Sequence, residues 1–123
     1  MTAVDRRLLP DTTGVDAEGG MTIGGCSVAA IAEEFGTPVF VYDEAHLRER
    51  CREAVAAFGP ERVIYATKAF LCRAMARLAY DEGLLLDVAT GGELHVALAA
   101  GVPASARRLE RNGSSALRTG QCS

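Results

Sequence analysis

The stretch RVIYATKAF, residues 62–70, decides how the rest of the sequence is interpreted, because an apolar, β-branched run ends in the only lysine of the chain. The other twelve of the 13 basic side chains are arginines. A desolvated lysine can lose its proton and form a Schiff base with a carbonyl group, whereas an arginine stays protonated. The stretch therefore predicts a buried strand with a candidate covalent anchor, Lys68, at its end. The alternative is compositional, a codon preference for arginine that left one lysine by chance.

Strand and helix alternate after this stretch. Apolar residues at helical spacing predict a helix over residues 71–82, and an apolar run predicts a strand over residues 84–89. Thr90 and Glu93 have the spacing of a capping box at the start of a further helix, which ends at Gly101. Such βα units predict a parallel sheet covered by helices, with strands apolar enough to be buried on both faces. The sequence has no G-x-G-x-x-G motif between a strand and a helix, so a Rossmann-type start is not predicted.

The sequence before residue 62 predicts shorter elements. Residues 21–23 and the two glycines after them predict a strand and a tight turn. Ser27 is placed to cap a short helix, and Asp43 to cap an amphipathic helix over residues 44–58. Between them, the β-branched and aromatic residues 37–42 predict a strand.

These elements predict four segments. Residues 1–20 form a mobile lead-in, and residues 21–60 form a hairpin, a short helix, a strand and an amphipathic helix. Residues 61–103 form the first two βα units of a barrel, and residues 104–123 form a divergent, disordered tail. A complete (β/α)8 barrel needs about 250 residues, so the 123 residues can supply only part of one.

Composition excludes several classes of partner. A net charge of −3 and a pI near 5.4 do not suggest binding to nucleic acid or to an anionic membrane. No apolar run approaches the roughly 20 residues that span a bilayer, and residues 1–20 lack the apolar core of a secretory signal. A cytoplasmic protein is therefore expected.

No metal site is predicted, because the four cysteines are scattered and include no C-x-x-C pair. Cys51 and Cys72 are interpreted as small apolar residues on helix faces. His46 and His95 are expected at solvent-facing or helix-surface positions rather than in a catalytic role.

Strand periodicity brings Lys68 close to an acid. Alternation along a strand puts Lys68 on the same face as Ala66, and Asp87 on the same face as Ala89. In neighbouring parallel strands of a barrel, Lys68 and Asp87 would lie near the carboxyl-terminal ends, where barrel enzymes place catalytic groups. An acid within a leucine run is costly unless it is paired, so the sequence predicts that Asp87 interacts with Lys68.

Three segments carry a resemblance to a known family: GTPVFVYDE at residues 36–44, YATKA at residues 65–69 and LDVATGGEL at residues 86–94. In order and spacing they resemble the N-terminal part of diaminopimelate decarboxylases, which belong to the alanine-racemase-like, or fold type III, pyridoxal-phosphate enzymes. The resemblance runs from about residue 21 to residue 103. It implies the N-terminal portion of a pyridoxal-phosphate-binding (β/α)8 barrel.

The resemblance also implies residue roles. Lys68 would hold pyridoxal phosphate through its amine, exchange it for the substrate amine, and take part in proton transfer after carbon dioxide leaves. Asp87 matches an acid close to the lysine and the cofactor. Glu93 matches a position near the site, although capping is sufficient to explain it. The family reaction converts meso-2,6-diaminopimelate, a small amino-acid substrate, to L-lysine in lysine biosynthesis, and full-length members are expected to be homodimers.

The family pattern is lost after Pro103, where a third strand is expected. We interpret residues 104–123 as an unrelated tail that follows a frameshift or an early end of the reading frame. A truncated decarboxylase of this kind is expected to be inactive alone, and to fold poorly because open sheet edges invite aggregation. Two alternatives remain: a non-enzymatic α/β binding module in which Lys68 is a surface amine, and a racemase or cofactor-carrier relative, against which TGGEL at residues 90–94 argues.

Overall fold

The computed structural model describes residues 4–109. The chain divides into two compact units, and the division falls between Arg50 and Cys51, inside a long helix. No helix in the described part of the chain combines the length and the apolarity needed to cross a bilayer.

The first unit contains a small antiparallel sheet and a helix. Its elements are strands β1 (Gly14–Val15), β2 (Met21–Ile23) and β3 (Cys26–Ser27) and helix α1 (Val28–Phe35). The predicted hairpin is confirmed, because β2 pairs with β3 and Gly24 and Gly25 take positive φ angles of 57° and 80° between them. The predicted helix cap is also confirmed, since the Ser27 hydroxyl accepts a hydrogen bond from the amide of Ala30.

The described part of the lead-in contains secondary structure, which the sequence did not predict for residues 1–20. Arg6–Leu8 forms a 3-10 helix, and β1 pairs antiparallel with β2. The connection between these strands is closed by the Asp16 carboxylate, which accepts hydrogen bonds from the amides of Glu18 and Gly20. An aspartate that accepts hydrogen bonds from nearby backbone amides specifies a turn by itself. Such a turn leaves no periodic pattern of apolar residues from which it could be predicted.

The strand predicted over residues 37–42 is wrong. This segment is irregular and exposed, and the Phe40 side chain is 90% exposed. A strand requires a neighbour that completes its hydrogen-bond ladder, and within residues 4–109 no strand pairs with this segment. Helix α2 (Glu44–Phe58) follows as predicted, and the Asp43 carboxylate accepts a hydrogen bond from the amide of His46 at its start.

The second unit contains a parallel sheet with helices in its connections, which confirms the α/β class. Its elements are strands β4 (Ile64–Ala66), β5 (Leu85–Val88) and β6 (Arg107–Leu109) and helices α3 (Arg73–Asp81) and α4 (Gly91–Ala99). The strand order is β4-β5-β6, and both pairs are parallel. This succession of strand and helix is consistent with the N-terminal part of an α/β barrel.

One face of this sheet is covered, and the other, although Leu85 of β5 is buried there, is open at β4 within the described residues. Leu86 and Val88 of β5 are fully buried, and α3 packs against β5 and against α4. On the opposite face of β4, Ile64 is 45% exposed and Ala66 is also exposed. Burial on both faces, as predicted for parallel strands, is therefore wrong for β4 in this part of the chain.

Strand β6 corrects the prediction that the fold ends at Pro103. Ala104–Ala106 forms a 3-10 helix, and β6 then pairs with β5 in parallel. Val102 and Ala106, in the segment that leads into β6, are buried in the core. Two of the three residues of β6 itself are arginines. Backbone groups form the ladder whatever the side chains are, so a short polar strand carries no alternation in its sequence. The rest of the predicted tail, residues 110–123, lies outside the described residues.

Candidate functional site

Lys68 lies just beyond the carboxyl end of β4. The strand stops at Ala66, and Thr67–Ala69 forms a single 3-10 turn in which Thr67 is buried and Lys68 is exposed. The prediction that Lys68 continues the strand alternation from Ala66 is therefore wrong, because the backbone has already left the extended conformation. The predicted position at the carboxyl end of a parallel strand is confirmed.

Two hydrogen bonds from side chains to the backbone fix this turn. The Tyr65 hydroxyl donates to the carbonyl oxygen of Phe70 at 2.6 Å, which closes the loop around Lys68. The Thr67 hydroxyl donates to the carbonyl oxygen of Asp87 at 2.6 Å, which ties the turn to β5. Both distances are at the short end of the range for hydroxyl donors, so the backbone that carries Lys68 is held on both sides.

Asp87 lies on the open face of the sheet, half-buried, with Ala66 of β4 and Arg108 of β6 as its partners in the ladder. Lys68 and Asp87 line the same shallow depression, together with Ala66, Thr67, Ala89 and Glu93. The structure thus brings together the residues that the sequence singled out.

The predicted ion pair between Lys68 and Asp87 is not formed. Within residues 4–109 no carboxylate oxygen lies within 4.0 Å of the Lys68 amine. The turn after Ala66 takes Lys68 out of the strand, so the spacing of neighbouring strands does not set its distance to Asp87. Arg108, the cation in the adjacent strand, was not predicted near Asp87, because residues 104–123 have the composition of a tail.

Glu93 caps α4 and also lines the depression. Its amide donates to the Thr90 hydroxyl at 3.2 Å, and its carboxylate accepts the amides of Ala89 at 2.8 Å and Thr90 at 3.0 Å. The predicted capping box is confirmed. The Ala89 amide is the main cause of a lowered pKa for Glu93, and the amide and hydroxyl of Thr90 act in the same direction against the effect of burial. The depression therefore contains an ionised carboxylate at neutral pH.

Replacing Glu93 with glutamine should weaken the dependence of stability on acid pH. Because the pKa of Glu93 in the folded chain lies below its ordinary value of 4.5, the ionised carboxylate stabilises the fold above that pH. This contribution is lost as the pH falls through the lowered pKa. We expect Glu93→Gln to have a lower Tm than the wild type at neutral pH, and a smaller fall in Tm between about pH 5 and about pH 3.

Thermal unfolding followed by circular dichroism at several pH values measures this difference. Glu34→Gln is the matched control, since Glu34 is an exposed residue of α1. An equal response to acid in the Glu93→Gln and Glu34→Gln variants would contradict the role given to the Glu93 carboxylate.

The cysteines and histidines take structural positions in the described residues. Cys51 is buried in α2, as predicted, whereas Cys72 caps α3 by accepting the amide of Met75 on its sulfur at 3.4 Å. His95 is exposed on α4, as predicted, and His46 lies 3.5 Å from the Asp11 carboxylate with 24% of its side chain exposed. Between residues 4 and 109, no three His, Cys, Asp or Glu side chains are grouped to hold a metal ion.

The depression fits the attachment of pyridoxal phosphate, the cofactor that the resemblance implies. A covalent anchor needs an accessible amine, and the Lys68 amine is exposed and has no ion pair in the described part of the chain. The side chains of Ala66 and Ala89 beside it are small, and Asp87 and Glu93 make the surroundings acidic.

Comparison with known proteins identifies the family. The family model described as "Pyridoxal-dependent decarboxylase, pyridoxal binding domain" matches residues 44–110. The chain is 50% identical to the diaminopimelate decarboxylase of Mycobacterium bovis over 107 residues, which are 86% of this chain and 24% of that protein. It is 51% identical to the diaminopimelate decarboxylase of Corynebacterium efficiens over 87 residues, 70% of this chain and 19% of that protein.

The fold is also similar to that of a solved structure. The crystal structure of diaminopimelate decarboxylase from M. jannaschii in co-complex with L-lysine has a TM-score of 0.65 and 30% identity, over 81% of this chain and 25% of that chain. The chain therefore spans about a quarter of the length of such relatives.

The family match also corrects the boundary that the sequence suggested. It continues beyond Pro103 to residue 110, which includes all of β6. Pyridoxal phosphate is the cofactor that this family implies, as the sequence motifs predicted. Since the match covers more than half of the 123 residues, the chain belongs to the pyridoxal-dependent decarboxylases and contains part of their pyridoxal binding domain.

Proposed function

We propose that this chain carries the cofactor-anchoring part of a diaminopimelate decarboxylase, with Lys68 as the residue to which pyridoxal phosphate is attached. The observation that carries the proposal is the position of the only lysine: exposed, after a parallel strand, and beside Asp87 in one depression. The proposed substrate of the whole enzyme is meso-2,6-diaminopimelate, which loses carbon dioxide to give L-lysine. The names of the relatives support this substrate.

Lys68 has two tasks in this proposal. Bound pyridoxal phosphate supplies a ring that delocalises the electron pair left behind when carbon dioxide departs. The Lys68 amine, in its unprotonated form, is the nucleophile that holds the cofactor. When it is not engaged with the cofactor, the Lys68 amine would be the group that holds a proton and delivers it to the substrate carbon. The short turn between Tyr65 and Phe70 keeps that amine at the carboxyl end of the sheet.

Asp87 and Glu93 provide the charge around Lys68. We assign to Asp87 the orientation and charge stabilisation of cationic groups held beside Lys68, because its side chain lies on the open face of the sheet and lines the same depression. Glu93 holds the first turn of α4 in place through its amide contacts, and its negative charge adds to that of Asp87.

We further propose the setting in which the whole enzyme works. It is a cytoplasmic, homodimeric enzyme of lysine biosynthesis that acts on a small amino acid and binds neither nucleic acid nor membranes. The acidic composition of this chain supports the last part, and the family resemblance supports the rest. Residues 61–109 are proposed as the beginning of the cofactor-binding barrel, and residues 21–60 as the elements that lead into it.

Selective labelling tests the proposal. The chain is incubated with pyridoxal phosphate, reduced with borohydride, digested and mapped by mass spectrometry. Only Lys68 and the N-terminal amine can be labelled. We expect Lys68 to be labelled in large excess over the N-terminal amine in buffer, and the excess to disappear in concentrated urea, where the site is unfolded.

Equal labelling of the two amines in buffer would overturn the proposal. That result would favour the second candidate function, a non-enzymatic α/β interaction module in which Lys68 is an ordinary surface amine. The observation that favours this candidate is the exposed apolar side chain of Ile64 on the open face of β4.

A further inference from the structure

Thr67 is a polar residue buried beside the proposed anchor. Its side chain is only 2% exposed, whereas the residues on either side of it, Ala66 and Lys68, are exposed. A buried hydroxyl without a partner costs free energy, so its hydrogen bonds indicate why it is there. Neither the family match nor the sequence pattern assigns a role to it.

The hydroxyl of Thr67 connects two strands beyond the point where their backbone pairing ends. The last register pair of β4 and β5 is Ala66 with Asp87. One residue further, the Thr67 hydroxyl donates to the carbonyl oxygen of Asp87 at 2.6 Å. The side chain therefore extends the tie between the strands into the turn that carries Lys68.

Thr67 also lines the depression together with its third charged residue, Glu93. Thr67 thus bonds to the backbone of Asp87, lines the same depression as Glu93, and directly precedes Lys68 in the chain. These three residues lie on three different elements of the unit.

We infer that Thr67 is the positioning residue for Lys68: by tying the turn to the backbone of β5, it directs the amine to the depression rather than letting it turn freely in solvent. This inference rests on the proposed function, because it concerns how the anchor meets pyridoxal phosphate. Thr67 acts through the backbone of the turn and touches neither cofactor nor substrate.

Two substitutions in the 123-residue chain separate the hydroxyl from the rest of the side chain. Thr67→Val keeps the branched shape and removes the hydroxyl, whereas Thr67→Ser keeps the hydroxyl. The measured quantity is the ratio of Lys68 to N-terminal labelling by pyridoxal phosphate after borohydride reduction. We expect Thr67→Val to lower this ratio about threefold to tenfold, the effect of losing one neutral hydrogen bond, and Thr67→Ser to stay within about twofold of the wild type.

Thr13 offers a matched control for the removal of a buried hydroxyl. It is also buried, and within residues 4–109 its hydroxyl has no hydrogen-bond partner. Thr13→Val should leave the labelling ratio unchanged. A merely structural role for Thr67 would lower the Tm of the Thr67→Val variant without changing the ratio measured below that temperature.

The outcomes distinguish the inference from the function on which it rests. A wild-type ratio in Thr67→Val, or an equal loss in Thr67→Val and Thr67→Ser, would overturn the positioning role and leave the proposed function standing. Failure of the wild-type chain itself to label Lys68 selectively would overturn the proposed function and, with it, this inference. A lower labelling ratio in Thr67→Val, together with a ratio near the wild-type value in Thr67→Ser, supports the role of the hydroxyl.

Discussion

Lys68→Arg should abolish the attachment of pyridoxal phosphate at residue 68 while leaving the fold intact. Arginine keeps the positive charge but stays protonated and cannot act as the nucleophile. Because Lys68 is the only lysine, no neighbouring amine can replace it. Its side chain is exposed and has no ion pair in the described part of the chain, so we expect a change in stability within about 0.5 kcal/mol. The mass of the borohydride-reduced chain and its Tm are the two measurements.

An introduced lysine tests whether the position of Lys68 matters or only its chemistry. Arg73→Lys adds an amine at an exposed position of α3 in a chain that keeps Lys68. We expect the added amine to be labelled no better than the N-terminus, and Lys68 to remain the main site. Equal labelling of residues 68 and 73 would mean that the depression confers no advantage, and the loss in Lys68→Arg would then reflect only the removal of an amine.

The parts of this fold that sequence predicted well are those specified by neighbouring residues. Helix α2 and the capping box of α4 follow from side chains within one or two turns of each other. Strands β4 and β5 follow from apolar runs of strand length. Short-range patterns of this kind do not depend on the rest of the chain, so the sequence is sufficient to predict them.

The predictions that failed depended on partners distant in sequence. Residues 37–42 have the composition of a strand, but among the described residues no strand pairs with them. Strand β6 has the opposite property, since Arg107 and Arg108 conceal a strand that exists because β5 offers backbone groups for pairing. Strand formation depends on the neighbour as well as on the segment, and one sequence does not specify the neighbour.

The sequence predicted that Lys68 and Asp87 lie close together, but it did not predict the geometry between them. Lys68 and Asp87 line one depression, as the strand positions suggested. The 3-10 turn after Ala66 removed the ion pair, and the buried contacts of Thr67 had no signal in the sequence. Threonine is common in strands, so only its burial and its hydrogen bond distinguish it from an ordinary strand residue.

Leu86→Ala should destabilise the second unit more than any other substitution considered for it. Leu86 is fully buried in the central strand, with Tyr65 of β4 and Arg107 of β6 as its ladder partners. Removing most of a buried leucine side chain costs about 2–5 kcal/mol, from the lost transfer free energy and the cavity that remains. Domains are stable by only about 5–15 kcal/mol, so we expect a large fall in the urea midpoint measured by circular dichroism.

Ile64→Ala in the adjacent strand is the matched control, because it removes a side chain of similar size from the open face of the same sheet. Ile64 is 45% exposed, so its truncation should cost about 1 kcal/mol, roughly half the value of full burial. If both variants lost stability equally, the open face would be as well packed as the covered one. That result would require further residues to cover β4, and it would remove the exposed Ile64 as an argument for the interaction-module alternative.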